Sequence, residues 1–361
     1  MRLRIRGRER RPAAASAAGP RLRIAYVADP ASPNSWYRAI GPLFELARRG
    51  HDIRQVVLRD GTFRVDLLDG CQILHIHRQH GETTRQLVKR AKRAGVAVVW
   101  DNDDDLSSVP KSDPAYRRHG GVRGARAIAA IKQVVAAADL VTTPSTRLVE
   151  LFRSYGGRRV ELVENYADDD LPLARRRRGS NGGETVTVGW VAGSEHRIDV
   201  RQLPIRAALE QLLRRHRHVR VVTIGVGLDI RDDRYRHISH VPFAQLGGET
   251  TAFDVGIAPI ADIPFNHARS NVKLKEYAAA GVPWLASPVG PYVGMGEAQG
   301  GRLVADDEWL AALDQLVSDT RLRRSLAERA QAWGLEQTLT PNLGEWERRF
   351  QELAAQPQRS A

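Results

Sequence analysis

The chain has 361 residues, with 55 Lys and Arg against 42 Asp and Glu, and a formal net charge of +13. Its length suits about two domains, and 42% hydrophobic with 27% charged residues is the balance of an ordinary globular protein. One cysteine, Cys71, excludes an internal disulfide and any multi-cysteine metal site, and no apolar run reaches the length of a membrane-spanning helix.

The charge is unevenly placed. Residues 1–23 hold eight Arg and one Glu, more than half of the excess. Residues 1–20 are Arg-rich, then Ala, Ser, Gly and Pro, without periodicity, and read as a disordered basic tail. No apolar segment follows the charges, so the tail does not read as a signal peptide. A specific nucleic-acid role would rest on this charge alone and is not expected. Cytoplasmic placement is expected, with loose contact to an anionic membrane surface open to the tail.

Strand and helix patterns then alternate. Leu22–Ala28 is a short apolar strand. Trp36, Ile40, Leu43, Phe44 and Ala47 recur at helical spacing, with Ser35 as a candidate cap and Gly50 closing the helix. Strands follow at Ile53–Leu58, Gln72–His77, Val96–Trp100, Leu140–Thr143 and Val160–Glu164. Helices are expected near 83–94 and 122–137, and another from a Ser145 cap to Tyr155. Residues 166–184 mix Asp and Arg blocks with Pro, Ser, Asn and Gly, and read as a linker. Alternation restarts with strands at Thr185–Val191, Val219–Ile224, Ile238–Val241, Phe253–Ala258 and Val282–Ala286. Helices fill 200–216, 271–280 and 306–353. The expected class is α/β: two Rossmann-like parallel-sheet domains, 21–165 and 185–332, facing a cleft. A C-terminal helix within 333–361 is expected to return to the first domain.

The segment Pro264–Pro291 carries the most chemistry. Ser270 is a candidate cap for a helix from Asn271 to Ala280, whose free N–H groups and dipole suit an anion. Lys273 is a cation in its first turn, where only an intervening anion favours one. Glu276, one turn on, can accept hydrogen bonds from a ribose diol; an ordinary Lys–Glu pair is the alternative. Gly193, Ser194 and Arg197 belong to a glycine turn after the first strand of the second domain, where a backbone can approach phosphates. The Gly225-Val226-Gly227 turn lacks the remaining dinucleotide fingerprint.

In the first domain, Asp101, Asn102, Asp103, Asp104 and Asp105 follow a strand directly and can bind a metal, hydrogen-bond sugar hydroxyls or cap a turn. Their spacing matches no calcium loop. His77 ends the preceding strand and is the one candidate general base of suitable pKa; a structural histidine is equally open. Asn34 and Tyr37, in the first loop and helix, stand on the same side. No metal site is expected, because no third ligand accompanies His75 and His77.

The segment ARSNVKLKEYAAAGVPWLAS resembles the donor-site helix of GT-B glycosyltransferases, in the large nucleotide-sugar group called family 4, or group 1. WYRAIGPLFELARRGHDI, VVWDNDDDL, ADLVTTPSTRLVELF, VGWVAGSEHRIDV and FDVGIAPI support it in order, over about residues 22–353. The resemblance implies metal-independent sugar transfer from a nucleotide-diphosphate sugar, as co-substrate with no cofactor, to a glycan, a lipid-linked or a small-molecule acceptor. It implies that Lys273, Ser270, Asn271 and the helix end hold the diphosphate and that Glu276 holds the ribose. Two departures stand out. Ala268 replaces the first glutamate of the paired motif, and Gly193-Ser194-Glu195-His196-Arg197 replaces the usual phosphate pair, with Arg197 as the candidate substitute. These leave the anomeric outcome open, and with it a binding protein without turnover.

Overall fold

The computed structural model describes residues 19–59, 62–111, 116, 120–172 and 185–356. Most of the expected basic tail and residues 173–184 of the expected linker lie outside these. The chain divides into two compact units. One comprises Met1–Val109, Arg117–Asn165 and Asn342–Ala361; the other comprises Pro110–Tyr116 and Tyr166–Pro341.

Unit 1 is built on a parallel sheet of six strands: β1 (Arg23–Val27), β2 (Asp52–Gln55), β5 (Ile73–His77), β6 (Ala97–Asp101), β7 (Leu140–Thr143) and β8 (Val160–Leu162). Their order is β2-β1-β5-β6-β7-β8. A small antiparallel pair, β3 (Leu58–Arg59) and β4 (Thr62–Phe63), stands apart from it and breaks the strand expected over Ile53–Leu58. Ile24, Leu74, Val98, Val99, Trp100 and Leu140 have no exposed surface, as expected for strands covered on both faces. The flanking helices are α1 (Gly41–Arg48), α2 (Glu82–Arg93), α3 (Gly121–Ala137) and α4 (Thr146–Ser154). Ser145 does cap α4, accepting from Leu148 N–H at 3.3 Å.

Ser35 is not the expected cap. It closes a one-turn helix, Pro33–Ser35, and lies buried, and a π-turn over Trp36–Ile40 leads into α1. That wider turn carries Arg38, Ala39 and Ile40 inward.

Unit 2 repeats the plan. Its strands are β9 (Val186–Ala192), β10 (Val219–Gly225), β11 (Tyr235–Ile238), β12 (Val255–Ala258), β13 (Trp284–Ala286) and β14 (Gly301–Leu303). They lie in the order β11-β10-β9-β12-β13-β14, all parallel. This is the doubly wound order whose reversal falls between β9 and β12. The helices are α5 (Arg197–Gln202), α6 (Ile205–Arg215), α7 (Phe243–Thr250), α8 (Pro264–His267), α9 (Val272–Ala279), α10 (Trp309–Ser318) and α11 (Thr320–Glu336). Trp190, Leu209, Leu212 and Leu313 belong to one apolar cluster. Ile224, Phe253, Tyr277 and Trp284 belong to a second.

Several elements depart from the sequence pattern: α8 was not expected, and the helix expected over 200–216 is two, α5 and α6. β14 and α7 are short and carry no clean period, and β11 begins three residues before its expected strand. Tyr235 fixes that register through its hydroxyl, which bonds Thr223 Oγ1 at 2.8 Å and accepts from Leu228 N–H at 2.9 Å. The last helix, α12 (Gly344–Ala355), belongs to unit 1, and unit 2 ends at Pro341 rather than near 332. The boundary shifts because α11 is held in unit 2. A Cβ on Gly334 would lie 2.3 Å from the backbone of Ala278 and Ala279, so only glycine lets α11 cross α9 that closely.

Candidate functional site

In unit 2 the site grows out of the split between β9 and β12. These strands pair only at Val255–Val188 and Gly256–Gly189. Beyond that pair they diverge, and Tyr277 of α9 fills the gap. Its hydroxyl donates to Ile257 O at 2.9 Å and accepts from Val191 N–H at 3.1 Å. Gly256 lets the ring approach, since a Cβ there would lie 2.7 Å from it. Burial pushes the Tyr277 phenol far above its ordinary range, so it acts as a neutral bridge. Ligands of doubly wound sheets bind beyond such a split, at the carboxyl ends of the strands.

The N-terminus of α9 stands there. Its cap is Asn271, without a side-chain cap bond, and not Ser270; the helix runs Val272–Ala279, one residue shorter at each end than expected. Lys273 Nζ lies 2.8 Å from Glu276 Oε2, and Glu276 is buried. The pair is therefore more enclosed than an ordinary surface pair on a helix.

The glycine turn follows β9. Gly193 is exposed, and Ser194–His196 form a single 3-10 turn into α5; the side chain of Ser194 lies outside the described residues. Arg197 is exposed in the first turn of α5.

The residues that organise this turn were not singled out for their geometry in the sequence. Asp199, with no exposed surface, accepts from Ala261 N–H and Asn266 Nδ2 at 2.8 Å each and from His196 Nδ1 at 2.7 Å. His196 Nε2 in turn accepts from Arg269 Nη2 at 3.1 Å. Arginine only donates, so the ring is neutral with its proton on Nδ1. Burial and then the Arg269 charge hold its pKa down, in agreement. Arg269 Nη2 also lies 3.1 Å from Glu195 Oε1. Tyr292, buried nearby, has its phenol raised by burial and feels the charges of Arg269, Asp199 and Glu276. The loop after β12, the turn after β9 and the entry to α9 thus meet in one cluster. Its only sequence signal was the isolated Asp and His of SEHRID, which has no periodic pattern.

In unit 1 the loops after β1 and β5 flank the other strand-order reversal. Asn34 and Tyr37 are half-buried there. His77 is buried, with Nδ1 3.0 Å from Asp101 Oδ1. The carboxylate only accepts, so Nδ1 is the donor in this bond. Nε2 has no hydrogen-bond partner among the described residues and lies 4.0 Å from Asp103 Oδ1.

Asp101 does not present a surface to an acceptor, contrary to the sequence expectation. It is fully buried and held by Arg38 at 2.6 Å, by Thr142 Oγ1 at 2.6 Å and by His77. An interior carboxylate must be paired, and these partners use it completely. Asp103 and Asp104 are tied to Arg78, through Nε at 2.5 Å and Nη2 at 2.6 Å. Arg78 has φ of 60°, a left-handed backbone that a side chain other than glycine adopts at a cost.

Among the described residues no group of three or more His, Cys, Asp or Glu is arranged to hold a metal, and no helix is long and apolar enough to cross a membrane.

No family model matches the chain, and no curated protein matches it in sequence. Solved structures do match. Sucrose-phosphate synthase from Thermosynechococcus elongatus aligns with a TM-score of 0.67 at 15% identity, over 93% of this chain and 100% of that one. The catalytic domain of starch synthase IV from Arabidopsis thaliana, bound to ADP and acarbose, gives 0.63 at 11%, over 93% and 100%. Anabaena HepE with UDP and glucose gives 0.61 at 14%, over 92% and 99%. At these identities the likeness is one of fold: the chain has the GT-B fold found in nucleotide-sugar glycosyltransferases, two Rossmann-like parallel-sheet domains with a helical C-terminus.

Proposed function

We propose that this chain is a glycosyltransferase that takes a sugar from a nucleotide-diphosphate sugar, with the donor bound in unit 2 and the acceptor on unit 1. The observation that carries the reading is the meeting of the α9 N-terminus, the enclosed Lys273–Glu276 pair and the glycine turn at the split between β9 and β12. Structures of the same fold with UDP or ADP bound support it.

In this reading the diphosphate lies against the first N–H groups of α9, and Lys273 turns toward it. Glu276 accepts from the ribose hydroxyls. Charge developing on the leaving diphosphate is met by a fixed cation and fixed amides, without a metal. On the acceptor side, His77 Nε2 accepts a hydroxyl proton, with Asp101 fixing the tautomer.

Ala268, buried where the family's first glutamate is expected, favours a second reading: nucleotide-sugar binding without transfer. One screen separates the two. The full chain is incubated with UDP-, GDP-, ADP- and dTDP-sugars, and both thermal stabilisation and sugar release or transfer are followed. Stabilisation with turnover supports the transferase; stabilisation without turnover supports the binding protein. No stabilisation by any nucleotide sugar overturns both.

A further inference from the structure

Glu195 occupies an informative place in the glycine turn. Its carboxylate folds back over Gly193, and a Cβ on that glycine would lie 2.3 Å from Glu195 Oε2. The space that a glycine opens for an approaching phosphate is thus filled by an anion of the chain itself. That anion pairs with Arg269, three residues before α9 begins.

The two members of the pair are held differently. Arg269 is anchored from behind by His196, which is anchored by the interior carboxylate of Asp199. Asp199 is fixed in turn by Ala261 N–H and Asn266. Glu195 is a short side chain on a one-turn helix, 43% exposed, with open solvent to move into. The guanidinium is therefore fixed and the carboxylate can swing aside. Burial alone would raise the Glu195 carboxyl, but the Arg269 charge beside it holds it at about 2. It is ionised at any ordinary pH, so the contact does not switch with pH.

We propose that Glu195 is a built-in counter-ion on the phosphate position of Arg269, displaced when the diphosphate of a nucleotide binds. The inference rests on the donor-site reading of unit 2, and it makes Arg269, rather than exposed Arg197, the arginine of the diphosphate. A guanidinium takes phosphate through paired N–H bonds, so a diphosphate competes well against one carboxylate. A single weak anion does not, and the empty site is guarded against it.

The test is a calorimetric titration of the full chain and its Glu195→Gln, Arg269→Ala and doubly substituted forms. The probes are UDP, GDP, ADP, inorganic pyrophosphate and the three parent nucleosides. Glu195→Gln is expected to tighten the diphosphate that binds, and pyrophosphate, by about fivefold, the worth of one partly exposed ion pair. Nucleoside affinity should stay as it is, and Arg269→Ala should remove the gain in the double form. Glu195→Ala, checked for an unchanged melting temperature, guards against a local misfold peculiar to one substitution. If a diphosphate binds the unsubstituted chain and neither Glu195 variant binds it more tightly, the counter-ion is wrong and the donor site stands. Equal gains for nucleosides would mean general loosening and overturn it too. If no form binds any nucleotide, the donor reading and this inference fall together.

Discussion

A guanidinium with no exposed surface needs partners on every side, and Arg38 has them. It bonds Asp101, Val163 O and Asn165 Oδ1, and its charge lies 5.1 Å from the centre of the Trp346 ring. Its own carbonyl accepts from His75 Nε2 at 3.1 Å. His75 is buried, and burial holds its pKa at about 4, so it is a neutral donor near pH 7. Arg38→Met would strand the Asp101 charge, and a loss of about 3–5 kcal/mol is expected in denaturant unfolding. Burial alone would raise the Asp101 carboxyl, but Arg38 and the hydrogen bonds from His77 and Arg38 hold it well below the usual range. A depressed folded pKa contributes stability above the unfolded value of about 3.9 and loses it as pH falls below that. Unfolding measured from pH 7 to pH 2 should show this loss, and Asp101→Asn should flatten it.

At the site in unit 2, Glu276→Ala should weaken nucleotide binding by about 2–4 kcal/mol, the worth of one or two charged hydrogen bonds. Lys273→Ala should weaken diphosphates far more than nucleosides. Unchanged affinity in the first, or equal losses in the second, would return the Lys273–Glu276 pair to a structural role.

Helix α12 shows how an element far along the chain completes an early core. Trp346, Phe350 and Leu353 recur at helical spacing and are almost wholly buried. His75 meets Trp346 and Phe350 edge-on, at 5.4 Å and 5.9 Å between ring centres. Glu347 accepts from His51 Nε2 at 2.9 Å and from Arg49 at 2.6 Å. His51 Nδ1 accepts from Leu22 N–H, which fixes the tautomer that makes the Glu347 bond. Arg349 reaches Glu161 at 2.7 Å, and Arg159 reaches Glu352 at 2.8 Å. Trp346→Ala is expected to cost about 3–5 kcal/mol of unit 1 stability. Hydrogen exchange should quicken in β1, β5 and β8 while the strands of unit 2 stay protected; uniform quickening would contradict this assignment.

At the scale of the whole chain, each unit has its own sheet and its own buried apolar residues. A chain of this kind need not unfold in one step. Two calorimetric transitions are expected, and nucleotide should raise only the one that belongs to unit 2. At one hundred times its dissociation constant the ligand adds about 2.7 kcal/mol to that unit. A shift of the unit 1 transition alone would place the nucleotide elsewhere.

The alternation of apolar strands and amphipathic helices was enough to read two parallel-sheet domains, because both signals are local. VAVVW can only be a buried strand, and Ser145 needs only its own helix to be a cap. SNVKLKEYAAAG similarly marked a helix that ends at a glycine. Contacts between distant residues left no such signal. Nothing local distinguishes Asp101, spent inside unit 1 on Arg38 and Thr142, from Asp103 and Asp104 on Arg78. Nothing local joins Asp199 to Ala261 and Asn266, or sets Glu195 against Arg269 across 74 positions. The sequence by itself determined the repeating plan and the helix that carries Lys273 and Glu276. Only the tertiary structure decided which charges are used up inside and which stay near the surface, because that depends on which groups folding brings within a hydrogen bond of each other.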